Sequence, residues 1–196
     1  MGKGRLEAFS DGVLAIIITI MVLELQVPAG HEFADLQPLI PQLLAYLMSF
    51  VYIGIYWNNH HHLMQAVKQV NGRILWANAH LLFWLSLVPL TSLWLGESHF
   101  AMVPAMMYGV VLTFAAIAYY ILARSLVSHH GKESTLAIAL GADRKGKLSI
   151  VLYIAAIGLG FVHEMISLGI YVLVALMWLV PDRRIEKLLI QGAHDQ

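Results

Sequence analysis

The sequence predicts an all-α, polytopic membrane fold, and three observations carry that reading. Of 196 residues, 59% are apolar and only 12% charged, about half the charged share of a soluble domain. Six apolar stretches reach or approach membrane length, near 8–26, 38–58, 75–95, 102–125, 147–162 and 165–181. All 12 lysines and arginines fall before the first stretch, after the last, or in alternate connections between them. The expected organisation is one six-helix transmembrane domain over residues 1–196.

The first stretch reads Arg5 to Leu25 as RLEAFSDGVLAIIITIMVLEL, with a carboxylate, Asp11, at its mouth. A charge at the bilayer centre costs roughly 2.5–3.5 kcal/mol on insertion scales and less near the interface, so one that is kept there holds helices together or serves ions. Lys3 and Arg5 ahead of an apolar run, with Pro28-Ala29-Gly30 behind it, also fit a signal peptide. Asp11 at the start of the run and the run's length favour a retained helix. Gly96 is expected to end the third stretch and Pro181 the sixth. The last two stretches are short and split by His163-Glu164, so either they form a tight helical hairpin or the second is tilted and interfacial. Between the fourth and fifth, Ser134–Leu140 is helix-compatible and Gly141 would stop it.

The basic residues set orientation. Lys3, Arg5, Lys68, Arg73, Arg124, Lys132, Arg144, Lys145, Lys147, Arg183, Arg184 and Lys187 share one side. The positive-inside rule makes that side, with both termini, cytoplasmic. The opposite side carries Glu24, Glu32, Asp35, Glu97 and Glu164, either a weakly cation-attracting face or an ordinary solvated one. Zero formal net charge gives no field to recruit nucleic acid, and the lack of cysteine excludes disulfides, thiol catalysis and thiolate metal sites.

At about 100° per residue, Gly12, Ile16, Thr19, Ile20 and Leu23 share one stripe of the first helix about 100° wide. Asp11 is turned about 140° from Ile16, and Ser10 about 120°. If the stripe lines a pore, Asp11 should point into the bundle behind it. Arg5 and Asp11 lie about 240° apart, so their partners should come from other helices. Periodicity alone leaves open which face meets water, since the helix is apolar almost all round.

Arg5-x-x-x-Phe9-Ser10-Asp11 ahead of an Ile-rich helix resembles the signature of the transmembrane-protein-175 potassium channels, lysosomal and endosomal in animals with single-repeat bacterial and archaeal homologues. Tyr56-Trp57 with His60-His61-x-Leu63 resembles the end of that family's second helix. Asn78-x-x-Leu81-Leu82-Phe83-Trp84-Leu85-Ser86-Leu87-Val88-Pro89 and Leu95-Gly96-Glu97 resemble its third.

The resemblance implies a homotetramer in a prokaryotic plasma membrane, with four first helices around a central pore that passes potassium ions and needs no cofactor. It implies an apolar constriction at Ile16, further rings at Ile20 and Leu23, and a selectivity role for Thr19 beside Ile16. Such a neck gates by dewetting. Arg5, Phe9, Ser10 and Asp11 are then scaffold, with Trp57, His60 and Asn78 as expected partners. The alternatives are a proton-permeable or weakly selective cation channel and, from another class, an intramembrane enzyme or a non-conducting membrane subunit. No convergent nucleophile–base set stands out. Three adjacent histidines, His60 to His62, fan about 100° apart on a helix and do not converge on a metal. Trp76, Trp84, Trp94 and Trp178 read as interfacial anchors, and Ala155, Ala156, Gly158 and Gly160 as a small-residue packing face.

Overall fold

The computed structural model describes residues 2–67, 69–131, 133–141 and 143–179, and all regular structure in them is helical. Helix α1 spans Lys3–Leu23. A 3-10 segment, Phe33–Leu39, leads into α2, Ile40–Gln65. Then come α3 (Gly72–Ser86), α4 (Val88–Glu97), α5 (Met102–His130), α6 (Thr135–Leu140), α7 (Arg144–Gly160) and α8 (Glu164–Leu179). Lys68, Lys132, Pro181, Arg183, Arg184, Lys187 and His194, used in the sequence reading, lie outside the described residues.

The starts and stops have local causes. Glu32 and Asp35 form a capping box ahead of the 3-10 segment, and Pro41 occupies the first turn of α2, where a missing N–H costs nothing. Asn71, Ser134 and Asp143 cap α3, α6 and α7 by accepting backbone N–H bonds. Gly131 and Gly141 follow α5 and α6 at φ +89° and +49°.

The third apolar stretch is two helices, not one. Pro89 has no N–H to give Leu85, and its ring crowds that carbonyl, so the chain breaks at Leu87. In the first turn of α4, Thr91 Oγ1 donates to the carbonyls of Leu87 and Val88, each at 3.2 Å. Gly96 lies within the last turn of α4 instead of ending the helix. There the backbones touch: a Cβ on Gly96 would sit 2.7 Å from Gln42 Cα, so only glycine fits.

Four helical segments among the described residues are long and apolar enough to cross a membrane: Lys3–Leu23, Phe33–Gln65, Gly72–Glu97 and Met102–His130. The fifth and sixth expected segments are α7, whose 17 residues fall short of the roughly 20 that a span needs, and α8, of which 16 residues are described. They pack as a hairpin across 161–163.

Helix α5 is central and carries α3, α4, α7 and α8, while α1 packs at one edge on α2, α3 and α4. Hydroxyls tie the centre together. Tyr108 donates to Ser49 (3.0 Å), Ser49 to Ser92 (2.9 Å), and Ser92 to the Ala45 carbonyl (3.2 Å). Tyr52 donates to the Tyr171 carbonyl at 2.6 Å, and Tyr171 to that of Ala105 at 3.1 Å. In a lipid setting every such group needs an internal partner. The small residues of α7 do not form one face. Ala156 and Gly160 are buried against Ser167 and Met106, while Ala155 and Gly158 turn outward, because residues two apart point about 200° from each other.

Candidate functional site

The setting of α1 is fixed by a buried stripe, Leu6, Ser10, Leu14, Ile17 and Met21, spaced by fours and a three. Ser10 is the polar member and is fully buried. Its hydroxyl donates to the Leu6 carbonyl at 2.8 Å and accepts from Asn78 Nδ2 of α3 at 2.9 Å. Asn78 Oδ1 faces Nε2 of His60, on α2, at 2.8 Å. The chain has one direction: imidazole N–H to amide oxygen, amide N–H to hydroxyl, hydroxyl to carbonyl. Reversing the amide would ask the Ser10 proton to serve two acceptors. A second link joins α1 to α2, where the Trp57 indole N–H donates to Asp11 Oδ1 at 3.1 Å. Trp57 is steadied by His61, stacked on it at 6.0 Å.

The four-residue motif therefore divides. Ser10 and Asp11 meet Asn78 and Trp57, and His60 joins through Asn78. Asp11 is not inside the bundle as expected. With Ser10 at the centre of the buried stripe, the next residue turns about 100° outward, and Asp11 sits at an exposed edge under the indole. Arg5 and Phe9 are exposed too, and Arg5 forms no ion pair among the described residues. Both project onto the line of Ile16, since seven and eleven residues return nearly whole turns.

Away from the buried stripe, Gly12, Ile16, Thr19, Ile20 and Leu23 are all exposed. Ile16 is 57% exposed, Ile20 40% and Leu23 83%. The Thr19 hydroxyl donates to the Ile16 carbonyl at 2.8 Å, so what it presents outward is oxygen lone pairs. No other polar group interrupts the line from Gly12 to Leu23. The histidine run disperses: His60 is buried, His61 is exposed beside Gln65 and His62 lies between. Among the described residues no cluster could hold a metal ion. His80 faces Trp84, whose indole donates to it at 2.9 Å.

The sequence gives no warning of an aromatic crevice between α2 and α7, lined by Tyr52, Tyr56, Tyr119, Tyr153 and Trp178 among others. Tyrosines in apolar runs signal it only once the helices are assembled.

The family model described as endosomal/lysosomal potassium channel TMEM175 matches residues 5–89, the part holding the α1 stripe and its hydrogen-bonded supports. The chain is 58% identical over 189 residues to a potassium channel of Chryseobacterium sp. (strain P1-3), covering 96% of this chain and 98% of that one. It is similar to the endosomal/lysosomal proton channel TMEM175 of Mus musculus at 28% identity over 159 residues, 73% of this chain and 32% of that protein. The crystal structure of a lysosomal potassium-selective channel TMEM175 homolog from Chamaesiphon minutus matches with a TM-score of 0.78 and 29% identity, over 92% of this chain and 97% of that one. These relatives are named as ion channels, not as enzymes. With the motif, the fold and relatives across nearly its whole length in agreement, this chain belongs to the TMEM175 family.

Proposed function

We propose that this protein is a potassium-permeable cation channel, a homotetramer in which four copies of α1 surround the ion path. The observation that carries the reading is the exposed stripe of Ile16, Thr19, Ile20 and Leu23, turned away from the face that α1 buries. Ile16, Ile20 and Leu23 form apolar rings that close the path by dewetting. From Ile16 to Leu23 the neck is about 10 Å long at 1.5 Å per residue. Thr19, its proton committed to Ile16, offers oxygens that replace part of a cation's water shell. The network of Ser10, Asn78, His60, Asp11 and Trp57 holds α1 in this setting, and α1 contributes nothing covalent.

The names of the relatives support potassium as the ion. The mouse relative, named as a proton channel, favours proton permeation as the second reading. Potassium uptake into proteoliposomes containing only this protein tests the claim. Uptake dependent on the protein is expected, and its absence in a well-assembled preparation rules the channel out. Reversal potentials in potassium and pH gradients separate the two ions.

In the membrane the chain makes six spans, with α7 and α8 as the last two and both termini in the cytoplasm of a bacterium. The one-sided distribution of lysine and arginine supports this. Reporter fusions after Glu97 are expected to report the outside, and fusions after Lys132 or at Gln196 the inside. A terminal fusion that reports the outside contradicts the topology.

A further inference from the structure

A second crevice lies where the end of α1 meets α2 and α4. It encloses about 240 Å³ of empty space, open mouth included, and Met21, Glu24, Gln42, Tyr46 and Ser92 are among the residues lining it. Two of these side chains bring oxygen that nothing answers. Gln42 Oε1 is buried and has no hydrogen-bond partner among the described residues, a state that native structures seldom leave unresolved. The α4 backbone abuts Gln42 at Gly96, so the amide reaches into the crevice from a fixed base. Ser92 does not serve it, because its hydroxyl donates to the Ala45 carbonyl at 3.2 Å and accepts from Ser49.

Glu24 is the other. It is half-buried and forms no ion pair among the described residues. Residues 6–67 and 74–123 contain no lysine or arginine, and Arg5 stands at the far end of α1, about 28 Å away at 1.5 Å per residue. No lysine, arginine or histidine lines the crevice. The last turn of α1 has no basic residue either, so the negative end of its dipole adds to the carboxylate. An anion is repelled from such a place, and water alone would leave the charge of Glu24 uncompensated. One carboxylate among neutral oxygens suits a monovalent cation, whereas calcium gathers roughly six to eight oxygens with more charge among them.

We propose that this crevice binds a potassium ion between Glu24 and Gln42, apart from the ion path. The carboxylate supplies the charge, the Gln42 amide turns its oxygen onto the ion, and water completes the shell. The ion then fastens the end of α1 to α2 and α4. Glu24 directly follows Leu23, so the site bears on the outermost apolar ring, and that step alone rests on the channel reading above. Binding is measured without flux, so failure here leaves the channel reading standing, and failure of flux leaves the site to be judged separately.

Crystals of the purified protein grown with rubidium in place of potassium, measured at the rubidium absorption edge, are expected to show an anomalous peak in contact with Glu24 and Gln42. In detergent, exchanging choline for potassium at constant ionic strength is expected to raise the melting midpoint by about 3 °C once potassium is tenfold above its dissociation constant. Glu24→Gln and Gln42→Met should each lose most of that rise. Gln42→Met keeps an unbranched stem and removes the unanswered oxygen, so in choline it should melt at or above the wild type, and its loss of the potassium response is then not misfolding. The absence of a rubidium peak at this crevice overturns the proposal. So does a potassium-dependent rise of wild-type size in both variants, which would put the ion elsewhere. A rubidium peak with no potassium-dependent rise marks an adventitious ion only and overturns it as well. A rise that follows acidification instead of potassium does the same, since protonated Glu24 would then be the donor to Gln42.

Discussion

Replacing Ile16 by Asn is expected to raise resting potassium conductance by about tenfold or more, which needs a barrier only ~1.4 kcal/mol lower. In the proposed tetramer the substitution puts one amide per subunit into the neck. Water there gains hydrogen-bond partners, and the dewetted state loses its advantage. Preference for potassium over sodium should weaken as well, because a wet, wider neck demands less dehydration. Val172→Asn, on the exposed face of α8, is the control and should raise neither. Current per reconstituted protein and reversal potential under bi-ionic conditions measure both effects. Unchanged values for Ile16→Asn in a well-assembled protein would remove Ile16 from the constriction.

The second large effect is expected at Asn78, which joins three helices through two bonds. Asn78→Leu keeps the volume roughly and removes both. The His60 imidazole loses its acceptor in a buried site, and Ser10 loses a donor. The combined cost is about 1–3 kcal/mol, given the modest strength of interhelical hydrogen bonds in membranes and the larger penalty for a stranded polar group. The unfolding midpoint in a denaturing-detergent titration should fall accordingly. Ser10→Ala should cost less, since His60 and Asn78 keep each other. If Asn78→Leu unfolds with the wild type, the network does not hold α1.

How legible this was depends on where the information lies. The apolar runs of α1 and α5 are long and uninterrupted, so their existence follows from composition and length. The stop of α6 is equally local, since Gly141 adopts a positive φ. The break at Leu87 is local too, but the apolar run on both sides of Pro89 outweighs it in a reading by hydropathy. The extension of α2 to Gln65 is tertiary: Asn58 to His62 looks like the end of a span, yet His60 finds Asn78 across the bundle. The stripe of Ile16, Thr19, Ile20 and Leu23 is visible by helical projection, but periodicity alone could not choose its face. What distinguishes it in the folded chain is a buried polar residue, Ser10, whose place at the core turns Asp11 outward. The tyrosine crevice belongs to four helices at once and has no local signature.

The measurement that bears most directly on the central claim uses the absence of cysteine from the chain. A single Thr19→Cys substitution can be modified with a cationic methanethiosulfonate reagent while potassium current is recorded from reconstituted protein. If α1 lines the ion path, modification places a fixed positive charge among the apolar rings, and current should fall by more than about tenfold, since like charges in a low-dielectric neck repel by several kcal/mol. Val172→Cys, modified to the same extent, should conduct as before. A Thr19→Cys channel that is fully modified, as mass spectrometry would report, and still carries undiminished potassium current contradicts a pore lined by α1.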